Sequence, residues 1–503
     1  ESEKGKKIEE ALARYFVRMA GRCTPFGLFA GTSTGEIVDK TSVQLVPLAK
    51  YLRHTRLDMD FLYALTEGLQ RDPELRKTLK YYPNTSLYRA AGRIRYAEAR
   101  LTGKLRSYHL VAVEPTDYLE ETLSRAASGE SIQVLAKALT GSEITQEEAE
   151  EYIHELINSQ VLVPDLSPAV TGPEPIHGLI DQLRKHPSAG SSAQVLDQVR
   201  IDLDKINAEK LGVARDRYLA ITKLLEPLPT KVELSRLFQV DMVKPSSHSK
   251  LNQKVVDEVL KGIGFLQSTT EFPREDTISR FVQAFTSRYE EQEVSLAEVL
   301  DEETGIGFDR SNAPTAEASP LLEGLAFPSF LEGNMKWTRK ENFLLKKLLD
   351  AKDQNSKEIV LQEEDMAQMT SQNPRPLPDA FAVMAKLAAS SEEEIDRGNF
   401  LVDVSSCSGP SGANLLGRFC HGDSKLLEYV QRHIHAEEAL DPDAVFAEII
   451  HLPEGRVGNV LLRPLLRKYE IPFLGRSGAS KDQLIPINDL RVSVRGAQVI
   501  LRS

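Results

Sequence analysis

The chain has 503 residues, 41 % hydrophobic and 27 % charged, with a formal net charge of −12, a balance that supports folded domains and excludes wholesale disorder. No run approaches the roughly 18 apolar residues of a membrane-spanning helix, and no basic stretch leading into an apolar one marks an export signal. Three cysteines (Cys23, Cys407 and Cys420) are too few for a disulfide framework and fall in no metal spacing, which favours a cytoplasmic protein, and the start at Glu1 points to a longer product.

The first predicted element is a helix. Ile8, Leu12, Tyr15 and Phe16 recur near helical spacing, and Arg14, Arg18 and Arg22 follow at i, i+4 and i+8 as one basic stripe. Thr24-Pro25-Phe26-Gly27 ends it, since Pro25 removes a donor and Gly27 permits a turn. Strands are expected over residues 42–47, 86–96 and 106–114. Between Arg71 and Arg106 ten basic residues stand against three acids, with Tyr81, Tyr82, Tyr88 and Tyr96 interleaved. The tail from Leu452 to Ser503 has nine basic residues against four acids. Either district suits a polyanion, because phosphate attraction acts locally at physiological salt; solvated strand faces are the plainer reading.

Residues 107–166 form a coherent pattern. A strand at Tyr108–Val113 leads into a helix carrying Leu119, Leu123 and Ala126, then one carrying Ile132, Leu135, Ala136 and Leu139. A third opens with the capping box Thr145-Gln146-Glu147-Glu148 and offers Ala149, Ile153, Leu156 and Ile157 for burial. Val161-Leu162-Val163 closes the unit as a strand. Three short helices with flanking strands read as a winged-helix-like module, a type that binds DNA or takes peptides by strand addition. The many glutamates on these helices argue against DNA. Residues 165–175, rich in Pro and Gly, read as a linker. Ile278, Phe281, Val282 and Phe285 mark a later helix, and residues 311–328 and 371–378 read as loops.

Familiar chemical motifs are missing. There is no G-x-G-x-x-G, no G-x-x-x-x-G-K-[ST] and no G-x-S-x-G, and Gly475–Lys481 has the wrong spacing for a phosphate loop. His421 beside Cys420, and His433 with His435, form no ligand set and read as exposed histidines, so no metal or cofactor is expected. What remains is a set of oddly placed charges. Asp58, ahead of Met59-Asp60-Phe61-Leu62, reads as an N-cap. Asp241 interrupts the apolar run Leu237–Val243, where a carboxylate is either functional or half of a buried ion pair. Arg418, behind a Gly-rich approach at residues 409–417, reads plainly as the partner of such an aspartate.

Arg18-Met19-Ala20-Gly21-Arg22-Cys23-Thr24-Pro25-Phe26-Gly27-Leu28-Phe29 closely resembles the N-terminal region of the class I lantibiotic dehydratases. Further landmarks follow in family order: Arg56-Leu57-Asp58, Pro83–Tyr88, Leu237–Asp241, Gly305-Ile306-Gly307, Gly417-Arg418-Phe419 and Arg456-Val457-Gly458-Asn459-Val460. The resemblance implies an α+β, multi-lobed glutamylation domain with an embedded winged-helix-like module that binds a leader peptide. Residues 1–88 and 167–503 would form the glutamylation domain, incomplete at its C-terminus, and residues 89–166 the module. It implies transfer of glutamate from glutamyl-tRNA, as co-substrate, to Ser and Thr of a ribosomal precursor peptide whose leader residues 107–166 hold. The matching site residues are Arg18, Arg22, Thr24, Asp58, Asp241 and Arg418. A lanthipeptide cyclase, a transporter and a second copy of the chain are further partners that the resemblance admits. Two alternatives stay open: a ligase extending a peptide C-terminus from aminoacyl-tRNA, and a leader-binding scaffold without chemistry.

Overall fold

The computed structural model describes residues 3–22, 24–102, 105–142, 144–272, 276–308, 337–452 and 458–503. Cys23, the loop expected over 311–328 and the Arg456-Val457 half of one landmark lie outside them. Strands are gathered in sheets of two or three among helices of up to 19 residues, which makes the fold α+β.

A two-stranded ladder positions the site. Leu52–Leu57 pairs antiparallel with Phe238–Val243, placing His54 opposite Asp241 and Arg56 opposite Gln239. Side chains alternate along a strand, so His54 and Arg56 share one face with Gln239 and Asp241, and Asp58 continues the row. The opposite face is tied down. Arg53 donates to the carbonyls of Ile206, Glu209 and Lys210 at the end of helix Gly190–Ala208, and the Asn207 side chain clasps the Thr55 main chain.

The strand turns at Asp58 into helix Met59–Leu69, which buries Met59, Phe61, Leu62, Leu65 and Leu69. These side chains join one continuous core with helices Pro175–Leu183, Gly190–Ala208 and Arg215–Leu225. The same core runs on into the predicted module, which is therefore embedded rather than strung on a linker.

Within the module, Tyr88–Ala90, Arg93–Thr102 and Leu105–Val113 form an antiparallel sheet in that order. The single strand expected over 86–96 is split, because Ala91 and Gly92 both adopt positive φ and turn the chain back on itself. Helices Asp117–Ala126, Ile132–Leu139 and Gln146–Asn158 follow, capped by Thr116, Ser131 and the Thr145/Glu148 box. The closing strand Leu162–Pro164 pairs with Tyr81–Pro83 instead of joining that sheet.

The expected linker at 165–175 is instead threaded through the interior. Leu166, Val170 and Thr171 are buried, Val170 N–H donates to Arg476 O at 2.8 Å, and Arg463 N–H donates to Val170 O at 3.2 Å. The segment packs closely against residues 476–478: a Cβ on Gly478 would lie 2.1 Å from Thr171 O, and one on Gly172 would lie 3.3 Å from Gly478 Cα. Smaller cores lie under helix Ser424–Glu438 and under the hairpin Arg491–Arg495/Gln498–Arg502. No helix of the described residues is long and apolar enough to cross a membrane.

Candidate functional site

The polar face of the ladder is covered by a turn from far along the chain. Gly417–Phe419 carries Arg418 over it, with the guanidinium stacked 4.7 Å above the Phe419 ring. Arg418 Nη2 lies 3.5 Å from Asp241 Oδ1, and Gln239 Nε2 donates to the same oxygen at 3.1 Å. Asp241 is only 6 % exposed, and its Oδ2 is sealed without a hydrogen-bond partner. Arg418 Nε is sealed in the same way. The plain expectation of an Asp241–Arg418 pair is thus met in geometry, but the pair leaves one carboxylate oxygen and one guanidinium N–H unused.

Arg56, two residues along the same face, is 3 % exposed. Its Nη2 donates to Asn459 O at 3.2 Å, while Nε and Nη1 are sealed with no partner. Burial holds this guanidinium below its ordinary pKa, against the pull of Asp241 and Glu174. His54 Nε2 lies 2.9 Å from Glu174 Oε1. Burial works to raise the Glu174 carboxyl, yet the contact with His54 and the nearby His421 and Arg56 hold it below its usual value. His421 Nε2 meets Gly172 O at 2.8 Å and its Nδ1 is sealed without a partner, so burial depresses this imidazole. His421 is not the exposed histidine that its sequence context suggests, because Arg418's turn presses it onto the buried 165–175 segment.

Asp58 is the N-cap its sequence predicts. Oδ1 accepts from Asp60 N–H at 2.8 Å. Oδ2 accepts from Asn459 Nδ2 at 2.9 Å, and Asn459 Oδ1 in turn accepts from Met59 N–H at 3.0 Å. The cap therefore also fastens the Gly458–Leu461 helix beside Arg56.

A second group lies along the other edge of Phe238–Val243. The first helix spans Glu3–Gly21, and from it Arg18 Nη2 donates to Thr24 Oγ1 at 2.6 Å. The chain then folds back through Phe26–Ala30 and joins the ladder strand, with Thr32 N–H donating to Met242 O at 2.9 Å. Arg18 and Thr24 engage each other rather than Asp241 or Arg418, and Arg22 is exposed. Of the six predicted site residues, Asp58, Asp241 and Arg418 share the polar face, and Arg18 with Thr24 forms a neighbouring cluster.

The basic districts are partly neutralised. Arg89 pairs with Glu120, Arg95 with Asp301 and Glu303, Arg100 with Glu98, and Arg106 with Glu67. In the tail, Arg463 pairs with Glu448, Arg467 with Glu437 and Glu438, and Arg502 with Glu293. Arg89, Arg100 and Arg502 are exposed, as the plainer reading expects, whereas Arg95, Arg106, Arg463 and Arg467 are drawn inward into their pairs rather than lying on solvated faces. Among the described residues no group of three His, Cys, Asp or Glu is placed to hold a metal ion.

Sequence reasoning named none of His54, Arg56, Glu174, His421 and Asn459 as a site residue, although Arg56 and Asn459 fall within landmarks of the resemblance. The alternation His54-x-Arg56-x-Asp58 ahead of an N-cap is a usable signal for one polar strand face. Nothing local marks Glu174 or His421. Chemically, a sealed carboxylate oxygen beside underused arginine donors can accept a proton or an ammonium group and steady a developing negative charge.

The family described as "Lantibiotic dehydratase, N terminus" matches residues 1–503. The subtilin biosynthesis protein SpaB of Bacillus subtilis is 23 % identical over 98 % of the chain and 47 % of its own length. The chain thus spans about half the length of that curated relative. The tRNA-dependent lantibiotic dehydratase MibB from Microbispora sp. 107891 superposes with a TM-score of 0.79 at 22 % identity, covering 100 % of this chain and 48 % of that one. The TbtB glutamylation domain from thiomuracin biosynthesis, bound to 5′-phosphodesmethylglutamycin, gives 0.58 at 15 % identity, covering 98 % and 60 %. These structures share the α+β fold described above.

Proposed function

Because the chain belongs to the lantibiotic dehydratase family, matching its N-terminal region from end to end, we propose that it transfers glutamate from glutamyl-tRNA to Ser and Thr side chains of a precursor peptide. This is the first half of peptide dehydration. In the transfer, the peptide hydroxyl oxygen attacks the glutamyl ester carbonyl, a new ester forms, and the bond to the tRNA ribose oxygen breaks. The hydroxyl proton ends on that ribose oxygen. The acyl group arrives already activated, so no ATP site is required, in keeping with the absence of a phosphate loop from the sequence.

The observation that carries this reading is Asp241: a sealed carboxylate with one unpartnered oxygen, facing Arg418 on the polar face of the ladder. Once bound substrate has displaced the groups that seal it, its Oδ2 would take the proton of the attacking hydroxyl and return it to the leaving oxygen. Arg56 and Arg418 would steady the negative charge that develops at the reacting carbonyl. Asp58, whose oxygens cap a helix and hold Asn459, acts as a positioning residue. Arg18, Arg22 and Thr24 would lie toward the RNA. Residues 107–166 would hold the leader, added as a strand beside Leu105–Val113, the outer strand of its sheet.

Mass spectrometry tests this directly. With glutamyl-tRNA and its own precursor, the protein should add glutamyl groups to Ser and Thr side chains. Growth at the peptide's C-terminus would replace the proposal with peptide ligation, and leader binding without any transfer would replace it with a scaffold.

A further inference from the structure

The first helix and the loop after it expose an apolar surface that the transfer site does not use, aliphatic at Leu12, Val17 and Leu28 and aromatic at Tyr15, Phe16, Phe26 and Phe29. Tyr15, Phe26 and Phe29 remain 46 %, 40 % and 45 % exposed. Their centroids form a triangle with sides of 5.0, 6.0 and 6.2 Å, and the three ring planes lie within 26° of one another. Near-parallel rings at those spacings are offset-stacked, and because the three centroids form a triangle rather than a line the group is a stepped floor whose partly exposed rings stay reachable. The floor is built, not frayed. Phe26 and Ala30 exchange main-chain hydrogen bonds at 2.8 and 3.2 Å, Gly27 supplies the positive φ of the turn, and the Arg18 guanidinium lies 5.0 Å from the Phe26 centroid.

Charge along the stretch of chain that builds the floor has one sign. Between Glu10 and Glu36 the chain carries no acid, only Arg14, Arg18 and Arg22. Arg14 and Arg22 are exposed and have no ion pair among the described residues, unlike most arginines of the two basic districts. An apolar patch meant for another protein is usually poor in charge at its centre. Aromatic rings interleaved with unpaired arginines are the composition that holds unpaired nucleotides, rings taking bases and arginines taking phosphates. The floor also leads into the site, since Thr32, just past Phe29, bonds to the strand that carries Asp241.

We propose that the Tyr15–Phe26–Phe29 floor binds the unpaired 3′ end of an RNA acceptor stem, its terminal base stacked on the rings and its phosphates on Arg14 and Arg22. The proposal rests on the aminoacyl-tRNA reading above. It adds where the RNA end lies, and it gives Arg18 the task of bracing Phe26 while Thr24 anchors Arg18.

The probe is a hairpin RNA with an unpaired four-nucleotide 3′ tail whose last base is 2-aminopurine, titrated with the protein at low salt. Stacking should quench the fluorescence. Tyr15→Ala and Phe29→Ala should each weaken binding by about 5- to 150-fold and relieve the quenching, while a blunt hairpin binds all three proteins alike. Arg14→Gln should lower the salt slope by about 1 without relieving the quenching at saturation. Circular dichroism melting shows whether the variants fold. Tail binding with no quenching, or with quenching untouched in both ring variants, overturns the floor and leaves the transfer reading intact. A wild-type protein that binds neither hairpin overturns both. A dimer that dissociates in Tyr15→Ala, with quenching unchanged, identifies the surface as a contact between copies and overturns the proposal.

Discussion

His421 is pressed between Arg418's turn and the Gly172 carbonyl, where burial disfavours its charged form. Its folded pKa lies below the unfolded value of about 6.5. The unfolded chain therefore binds the extra proton first, so the contribution to stability is full above about pH 6.5 and is lost as pH falls below it. Glu174, also held below its ordinary value, adds a further loss below about pH 4.3. Melting midpoints should fall from neutral pH toward 5.5, and His421→Asn should flatten that part of the curve. A wild-type midpoint constant across this window would contradict the placement. Asp58 gives a second prediction. Asp58→Ala should cost about 1 kcal/mol in denaturant unfolding through the lost cap, whereas Asp58→Asn retains most of it. At this scale the sequence showed Asp58 as a cap and Asp241 as an anomaly in an apolar strand. It did not show Glu174 or His421, whose meaning comes from partners brought together only by tertiary packing.

Gly68 lies inside helix Met59–Leu69, where alanine ordinarily improves a helix by nearly 1 kcal/mol. Here an added Cβ would sit 2.0 Å from Pro229 O, so Gly68→Ala should destabilise the protein, as a shift in the denaturant midpoint would show. In the module, Leu105–Val113 has one strand neighbour among the described residues and offers its other edge to a peptide. A proline at a leader position that donates to this edge should weaken binding sharply by calorimetry; unchanged affinity would place the leader elsewhere. Elements with strong local signals were legible, notably the helices opened by Thr116, Ser131 and Thr145. The Ala91-Gly92 turn was not, since it lacks the Asn-Gly or Asp-Gly pair that announces a tight hairpin. The 165–175 segment misled because Pro and Gly serve buried close packing as readily as they serve a linker.

Across the whole molecule, ion pairing engages most arginines of the two basic districts, part of the charge that made them look like an RNA surface. RNA binding should then depend on only a few phosphate contacts. At about 0.7 to 0.9 per contact, the slope of log affinity against log salt should be roughly 2 to 4, far from the value of about 10 for an extended basic groove. Affinity unchanged between about 50 and 200 mM salt would remove the phosphate contacts altogether. The central claim is that the ladder's polar face performs acyl transfer through Asp241, and Asp241→Asn tests it most directly. With glutamyl-tRNA and the precursor, mass spectrometry should find no glutamyl esters, while the melting midpoint and leader affinity stay close to those of the unaltered protein. A purely structural Asp241–Arg418 pair would instead lower stability by about 3–5 kcal/mol and take leader binding with it. Glutamyl esters formed by Asp241→Asn at the wild-type level would contradict the account outright.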